Sequence, residues 1–229
     1  MLHLTNKLCI FDCDGTLVDT EPLMAKSWRV FLKKYYDVDF GERDYFRYCH
    51  GNSPKNMIKY FNDRFKIGLD YKGKIKEKKR AISQDLIRKE LKPISGVSEF
   101  LEKIKNVRRC ITSNSSKKKL WLSVNVVGLN KYFNENEIFS RDLVENGTIA
   151  KAKPAPDMYL YTVEQMKYKP ENCIVFEDSI PGLQAAKSAG IMAIGCISPS
   201  CENKANMRKR MKEAKADYVV ENMMEILRL

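Results

Sequence analysis

Cys9-Ile10-Phe11-Asp12-Cys13-Asp14-Gly15-Thr16 is the stretch on which the fold turns. The apolar run from Leu8 to Phe11 reads as a strand buried on both faces, as in a parallel sheet. Asp12 then falls where the strand ends, and Gly15 lets the backbone turn sharply. Residues i and i+2 of a strand point the same way, so Asp12 and Asp14 are expected to converge just past the sheet edge. Ligands of open α/β sheets bind there. Asp-x-Asp-Gly is also an ordinary turn composition, so the rest of the chain has to decide between the two readings.

Further polar stretches follow predicted strands or precede predicted helices. A strand over 107–112 runs into Thr112-Ser113-Asn114-Ser115-Ser116, and a helix over 117–127 follows. Lys153-Pro154-Ala155-Pro156 leads into a helix over 156–166. A strand over 173–176 ends in Glu177-Asp178-Ser179, and the next helix, 182–189, stops at Gly190. Shorter strands are expected at 137–140, 191–197 and 217–220, and a short helix closes the chain. This alternation predicts an α/β fold, a Rossmann-like doubly wound parallel sheet.

Between the first strand and that alternation lies a charged, aromatic, helical segment. Pro22 suits a first helical turn, and Leu23, Trp28, Phe31 and Leu32 form an apolar side. Asn52-Ser53-Pro54 reads as a helix start with Ser53 as cap, followed by Met57, Ile58, Phe61 and Phe65 at helical spacing. Another helix is expected over 71–89. The segment 18–91 therefore reads as an inserted all-helical domain, and 1–17 with 92–229 as the α/β core.

The 229 residues are 44% hydrophobic, enough for a substantial core. No run of about 18 apolar residues exists, so no membrane span is expected, and the N-terminus lacks a signal-peptide pattern. Seven scattered cysteines without a C-x-x-C pair point to reduced thiols in a cytoplasmic protein. Two histidines give little support to a His-based zinc site or a Ser-His-Asp triad. The net charge of +12 raises a nucleic-acid hypothesis. The positive runs at 72–80, 117–119 and 204–215 are dispersed and carry no nucleic-acid-binding motif, so solvated helix faces are preferred. A basic surface would also attract an anionic substrate. A monomer is the default expectation.

Taken singly, Ser113 could cap a helix, Lys153 could be a surface lysine and Glu177-Asp178 a helix start. Together, in this order, the chain resembles the haloacid dehalogenase-like (HAD) hydrolase superfamily over nearly its whole length. Its D-x-D-G-T signature is matched by Asp12-Cys13-Asp14-Gly15-Thr16. Val18-Asp19-Thr20-Glu21-Pro22 continues in the manner of the sugar-phosphate phosphatase and β-phosphoglucomutase branch. The resemblance implies a helical cap over the active site and a small phosphorylated metabolite, with a sugar phosphate first, as substrate. It implies Asp12 as the nucleophile that forms an aspartyl-phosphate, and Asp14 as acid and then base. Ser113 and the Asn114 amide would hold phosphoryl oxygens, and Lys153 would neutralise the nucleophile and the transferring group. The cofactor would be Mg²⁺, held by Asp12, the backbone carbonyl of Asp14 and Asp178, with Glu177 close by or through water.

Asp14 separates the chain from haloacid dehalogenases, which lack an aspartate there. Phosphonatases need a cap lysine that cannot be singled out among so many. In β-phosphoglucomutases the position of Met24 carries a histidine, and a cap arginine follows Gly-x-Ser. Here Gly51-Asn52-Ser53-Pro54 is followed by Lys55. Both departures favour a phosphatase over a mutase. Trp28, His50, Asn52 and Lys55 are the cap candidates for substrate contact. Core packing is the alternative for Trp28, and a helix end is the alternative for His50. A non-catalytic binding protein on the same fold is the alternative of another class.

Overall fold

The computed structural model describes residues 4–49, 52 and 54–229. The chain divides into two compact units, Met1–Asp19 with Lys92–Leu229, and Thr20–Leu91. The first unit is built on six strands: β1 (Leu8–Phe11), β2 (Arg108–Ser113), β3 (Ile138–Ser140), β4 (Cys173–Glu177), β5 (Met192–Cys196) and β6 (Tyr218–Val220). All pair in parallel, in the order β3-β2-β1-β4-β5-β6. The chain lays β2 and β3 on one side of β1, then crosses to lay β4, β5 and β6 on the other. The crevice at such a reversal opens at the carboxyl ends of the central strands.

The strands read as continuous apolar runs because both faces of the sheet are covered. Every residue of β1 and β4 is buried. Phe11 and Phe176 are register partners and their rings stack at 4.6 Å. Phe100 closes on both edge-to-face. Each such ring stabilises the fold by roughly 1.5–3 kcal/mol relative to exposure. Side chains alternate along a strand, so with Phe11 and Phe176 on one face, Asp12 and Glu177 emerge side by side toward the other.

The second unit is helical: α1 (Glu21–Tyr36), α2 (Glu42–Tyr48), α3 (Pro54–Phe65) and α4 (Gly73–Glu90). Its core gathers Ala25, Trp28, Phe31, Leu32, Phe40, Tyr45, Met57, Phe61 and Leu69. Trp28 is only 4% exposed. Its ring meets Phe31 at 5.7 Å, Phe61 at 5.1 Å and Tyr71 at 5.3 Å. Trp28, a candidate for substrate contact in the sequence, is thus a packing residue of this helical core. Periodicity cannot tell an aromatic that packs from one that binds, because both lie on the apolar side of a helix. Asn52 is exposed and donates from Nδ2 to the Tyr48 carbonyl at 3.0 Å. Lys55 is exposed on the first turn of α3. His50 and Ser53 lie outside the described residues.

The helices of the first unit are α5 (Val97–Lys103), α6 (Lys117–Val126), α7 (Asp142–Glu145), α8 (Asp157–Gln165), α9 (Ile180–Ser188) and α10 (Lys204–Glu213). Residues of α8, α9 and α10 join one sheet face in a cluster that includes Leu8, Ile10, Val175, Tyr159, Leu183 and Met211. The cysteines are free thiols, six of them buried. Among the described residues no helix is long and apolar enough to cross a membrane.

Candidate active site

Asp12, Ser113, Glu177 and Asp178 all lie at or just past the carboxyl ends of β1, β2 and β4. The register places them together. Phe11 pairs with Ile111 and with Phe176, so Asp12 sits between Thr112 and Glu177. Lys153, from the loop before α8, reaches over all three strand ends. Its Nζ donates to Asp12 Oδ1 at 2.7 Å, to Glu177 Oε2 at 2.8 Å and to the Thr112 carbonyl at 2.7 Å. The Lys153 side chain is 2% exposed and the Glu177 side chain 1%. Burial alone would drive a lysine toward neutrality. The Asp12 and Glu177 carboxylates outweigh it and hold Lys153 charged, well above its ordinary range.

Asn114 fixes the loop that carries Lys153. Its Nδ2 donates to the Lys153 carbonyl at 3.1 Å, and its Oδ1 accepts from the Lys153 amide at 3.2 Å. The Ser113 hydroxyl is buried and accepts from the Ser115 amide at 3.4 Å.

Burial pushes the Asp12 carboxyl up to about 7; Lys153 opposes this and Glu177 adds to it. The Asp178 carboxyl is raised well above its usual range by burial, Glu177 and Asp12. Ligand oxygens of Asp12, Glu177 and Asp178 lie within 4.8 Å of one another. Such a set of mutually repelling carboxylates, two buried and Asp178 half-buried, fits a hard divalent cation, which takes oxygen ligands and relieves the repulsion. The three are not equivalent. Glu177 Oε2 already accepts from Lys153 and from the Tyr159 hydroxyl at 2.8 Å. Its Oε1 accepts from the Ser179 amide at 3.2 Å and hydroxyl at 2.7 Å. Asp178 Oδ1 accepts from the Thr16 hydroxyl at 3.0 Å. Glu177, expected close to the cation or bound to it through water, has both oxygens accepting from protein donors, and it anchors Lys153.

Two glycines make the crowding feasible. Gly15 has a φ of +83°, and a Cβ there would lie 2.1 Å from Asp178 Oδ2. A Cβ on Gly182, in the first turn of α9, would lie 2.0 Å from Glu177 Oε2.

Asp14 is placed differently from the alternation argument. β1 ends at Phe11, and a turn over 13–18 follows, closed by bonds from the Leu17 amide to the Cys13 carbonyl at 2.9 Å and from the Gly15 amide to the Val18 carbonyl at 2.8 Å. The pleat no longer directs the Asp14 side chain. Its carboxylate accepts from Ser115 Oγ at 2.5 Å and from Lys119 Nζ at 2.8 Å on both oxygens. Lys119, Ser115, Thr16 and Tyr159 were not singled out in the sequence. Lys119 carries a readable signal: four residues after Ser115, it lies one helical turn beyond it. In the sequence it merges into a lysine run.

The model of the haloacid dehalogenase-like hydrolase family matches residues 9–196. The chain is 32% identical over 193 residues to the phosphorylated carbohydrates phosphatase of Thermotoga maritima, covering 81% of this chain and 82% of the relative. It is 30% identical over 189 residues to the fructose-1-phosphate phosphatase of Escherichia coli, covering 81% and 93%. A conserved haloacid dehalogenase-like protein of unknown function from Agrobacterium tumefaciens superposes with a TM-score of 0.78 at 28% identity, covering 96% of this chain and 95% of that one. The chain belongs to the haloacid dehalogenase-like hydrolase family.

Proposed function

We propose that this chain is a phosphoric monoester hydrolase that uses Mg²⁺ and acts on a small phosphorylated metabolite, a sugar phosphate first among them. The observation that carries the reading is the buried Asp12 at the end of β1, paired at 2.7 Å with Lys153 and within reach of the Asp178 carboxylate. The names of the similar phosphatases support the substrate class.

Asp12 attacks phosphorus through a carboxylate oxygen as the ester P–O bond breaks. The electron pair of that bond leaves on the alcohol oxygen, and Asp14 delivers the proton it needs. Water then attacks the aspartyl-phosphate, Asp14 takes a proton from it, and the acyl P–O bond breaks to return Asp12 and free phosphate. The Ser113 hydroxyl and the Asn114 amide hold equatorial phosphoryl oxygens, where charge builds in the transition state. Lys153 opposes protonation of Asp12 and offsets the charge of the incoming dianion. A bound Mg²⁺ would be held by Asp12, Asp178 and the Asp14 carbonyl, and would screen the phosphate from the carboxylates. Glu177 orients Lys153. Met24, at the position where the resemblance to mutases calls for histidine, favours hydrolysis over transfer to a second sugar position.

Phosphate release from a panel of phosphorylated metabolites, with Mg²⁺ and with chelator, tests this. We expect Mg²⁺-dependent release that Asp12→Asn abolishes. No release from any member refutes the phosphatase; β-glucose 1-phosphate with a bisphosphate primer then tests the mutase, and silence in both leaves a binding protein.

A further inference from the structure

We infer that Lys119 is a positioning residue for Asp14, holding that carboxylate in the direction from which it meets the leaving oxygen. The inference rests on the acid–base role proposed for Asp14. The two aspartates of the first loop each have their own lysine. Asp12 continues a strand and is gripped by Lys153. Asp14 lies in the turn beyond it and is gripped by Lys119, both carboxylate oxygens 2.8 Å from the ammonium. Ser115 closes the arrangement, with Oγ 2.5 Å from Asp14 Oδ2 and 3.3 Å from Lys119 Nζ.

The platform under Lys119 is built. The Lys117 amide at the start of α6 donates to Asp142 Oδ2 at 3.0 Å, and the Arg141 amide donates to the Ser115 carbonyl at 3.1 Å. Leu120, Ser123 and Val124 bury the other side of α6. Lys119 and Asp14 keep 25% and 20% of their side chains exposed. The pair is thus better shielded than a surface ion pair, yet open enough for an arriving substrate to touch it. The backbone turn sets where Asp14 begins and not where its carboxylate points, so partner side chains supply the direction. A misplacement of 1 Å in such a group can cost on the order of a hundredfold in rate.

The test compares two esters. An alkyl phosphate, whichever of fructose 1-phosphate and 6-phosphogluconate turns over faster, needs its leaving oxygen protonated. The aryl ester p-nitrophenyl phosphate has a weakly basic leaving group and needs little such help. With Mg²⁺ present, Lys119→Met should lower kcat/KM for the alkyl ester about 10–100-fold and for the aryl ester less than about threefold. Lys119→Arg should restore most of the loss. In an Asp14→Asn background, Lys119→Met should change neither, as two residues acting through one group require. A crystal structure of Lys119→Met should show the Asp14 carboxylate moved from its place beside Ser115. Equal losses on both esters, a loss that persists in the Asp14→Asn background, or an unmoved carboxylate overturns the inference. A wild-type protein that releases phosphate from no ester overturns the proposed function itself, and this inference with it, before any variant is made.

Discussion

Replacing Tyr159 by phenylalanine removes one oxygen atom and nothing else, at a place where that oxygen meets a buried charge. The Tyr159 hydroxyl donates to Glu177 Oε2 at 2.8 Å, and the residues are 0% and 1% exposed. No water can substitute for the lost donor without opening the core formed by α8 and the sheet. A hydrogen bond to a charged group is worth about 1.5–3 kcal/mol, so Tyr159→Phe should destabilise the α/β unit by about 2 kcal/mol. With a denaturant slope near 3 kcal/mol per molar urea, the midpoint should fall by about 0.7 M. Tyr161→Phe is the control: Tyr161 is partly exposed and packs edge-to-face on Phe139 at 6.1 Å, and its change should stay within about 0.5 kcal/mol. Urea unfolding of wild type and both variants, followed by circular dichroism, measures both shifts. Equal shifts, or a loss below about 0.5 kcal/mol for Tyr159→Phe, would refute the claim that Glu177 is an anchor held by its donors.

The pH dependence of cation binding follows from the raised carboxyl of Asp12. Its folded value of about 7 lies above its ordinary 3.8, so between these limits the folded protein without cation binds more protons than the unfolded chain and loses stability as pH rises. Thermal melts should therefore show Mg²⁺ raising Tm clearly more at pH 7.5 than at pH 5, where Asp12 is largely protonated; equal shifts would contradict the cluster's role. In the helical unit, Phe61→Ala should cost about 3–5 kcal/mol, because the Phe61 ring is fully buried between Trp28 and Phe40. Hydrogen exchange should show the loss first in α1 and α3, and a loss below about 1 kcal/mol would mean that Trp28 is not held in that core.

The sheet was legible because its signals are local. Leu8–Phe11 and Cys173–Glu177 are apolar runs, each ending in carboxylates, and a buried parallel strand announces itself by composition alone. The helix boundaries shifted by a few residues: 71–89 became Gly73–Glu90, and 182–189 became Ile180–Ser188. End residues are governed by caps that composition reads poorly. Trp28 could not be assigned from its spacing, since packing and binding demand the same face. Tyr159 was hidden because nothing in Asp157–Gln165 tells that this ring's hydroxyl faces a glutamate eighteen residues later.

The sequence alone determined that Asp12, Ser113, Lys153 and Glu177-Asp178 accompany the strands and helices of a doubly wound sheet, because each is tied to its own strand or loop by adjacency in the chain. The family resemblance had set Lys153 against Asp12; the tertiary structure made that contact and alone decided the rest: Lys153 with Glu177, Lys119 with Asp14, Tyr159 with Glu177. Those partners come from elements separated by up to 141 residues. Their meeting depends on strand order and register, which no local pattern encodes.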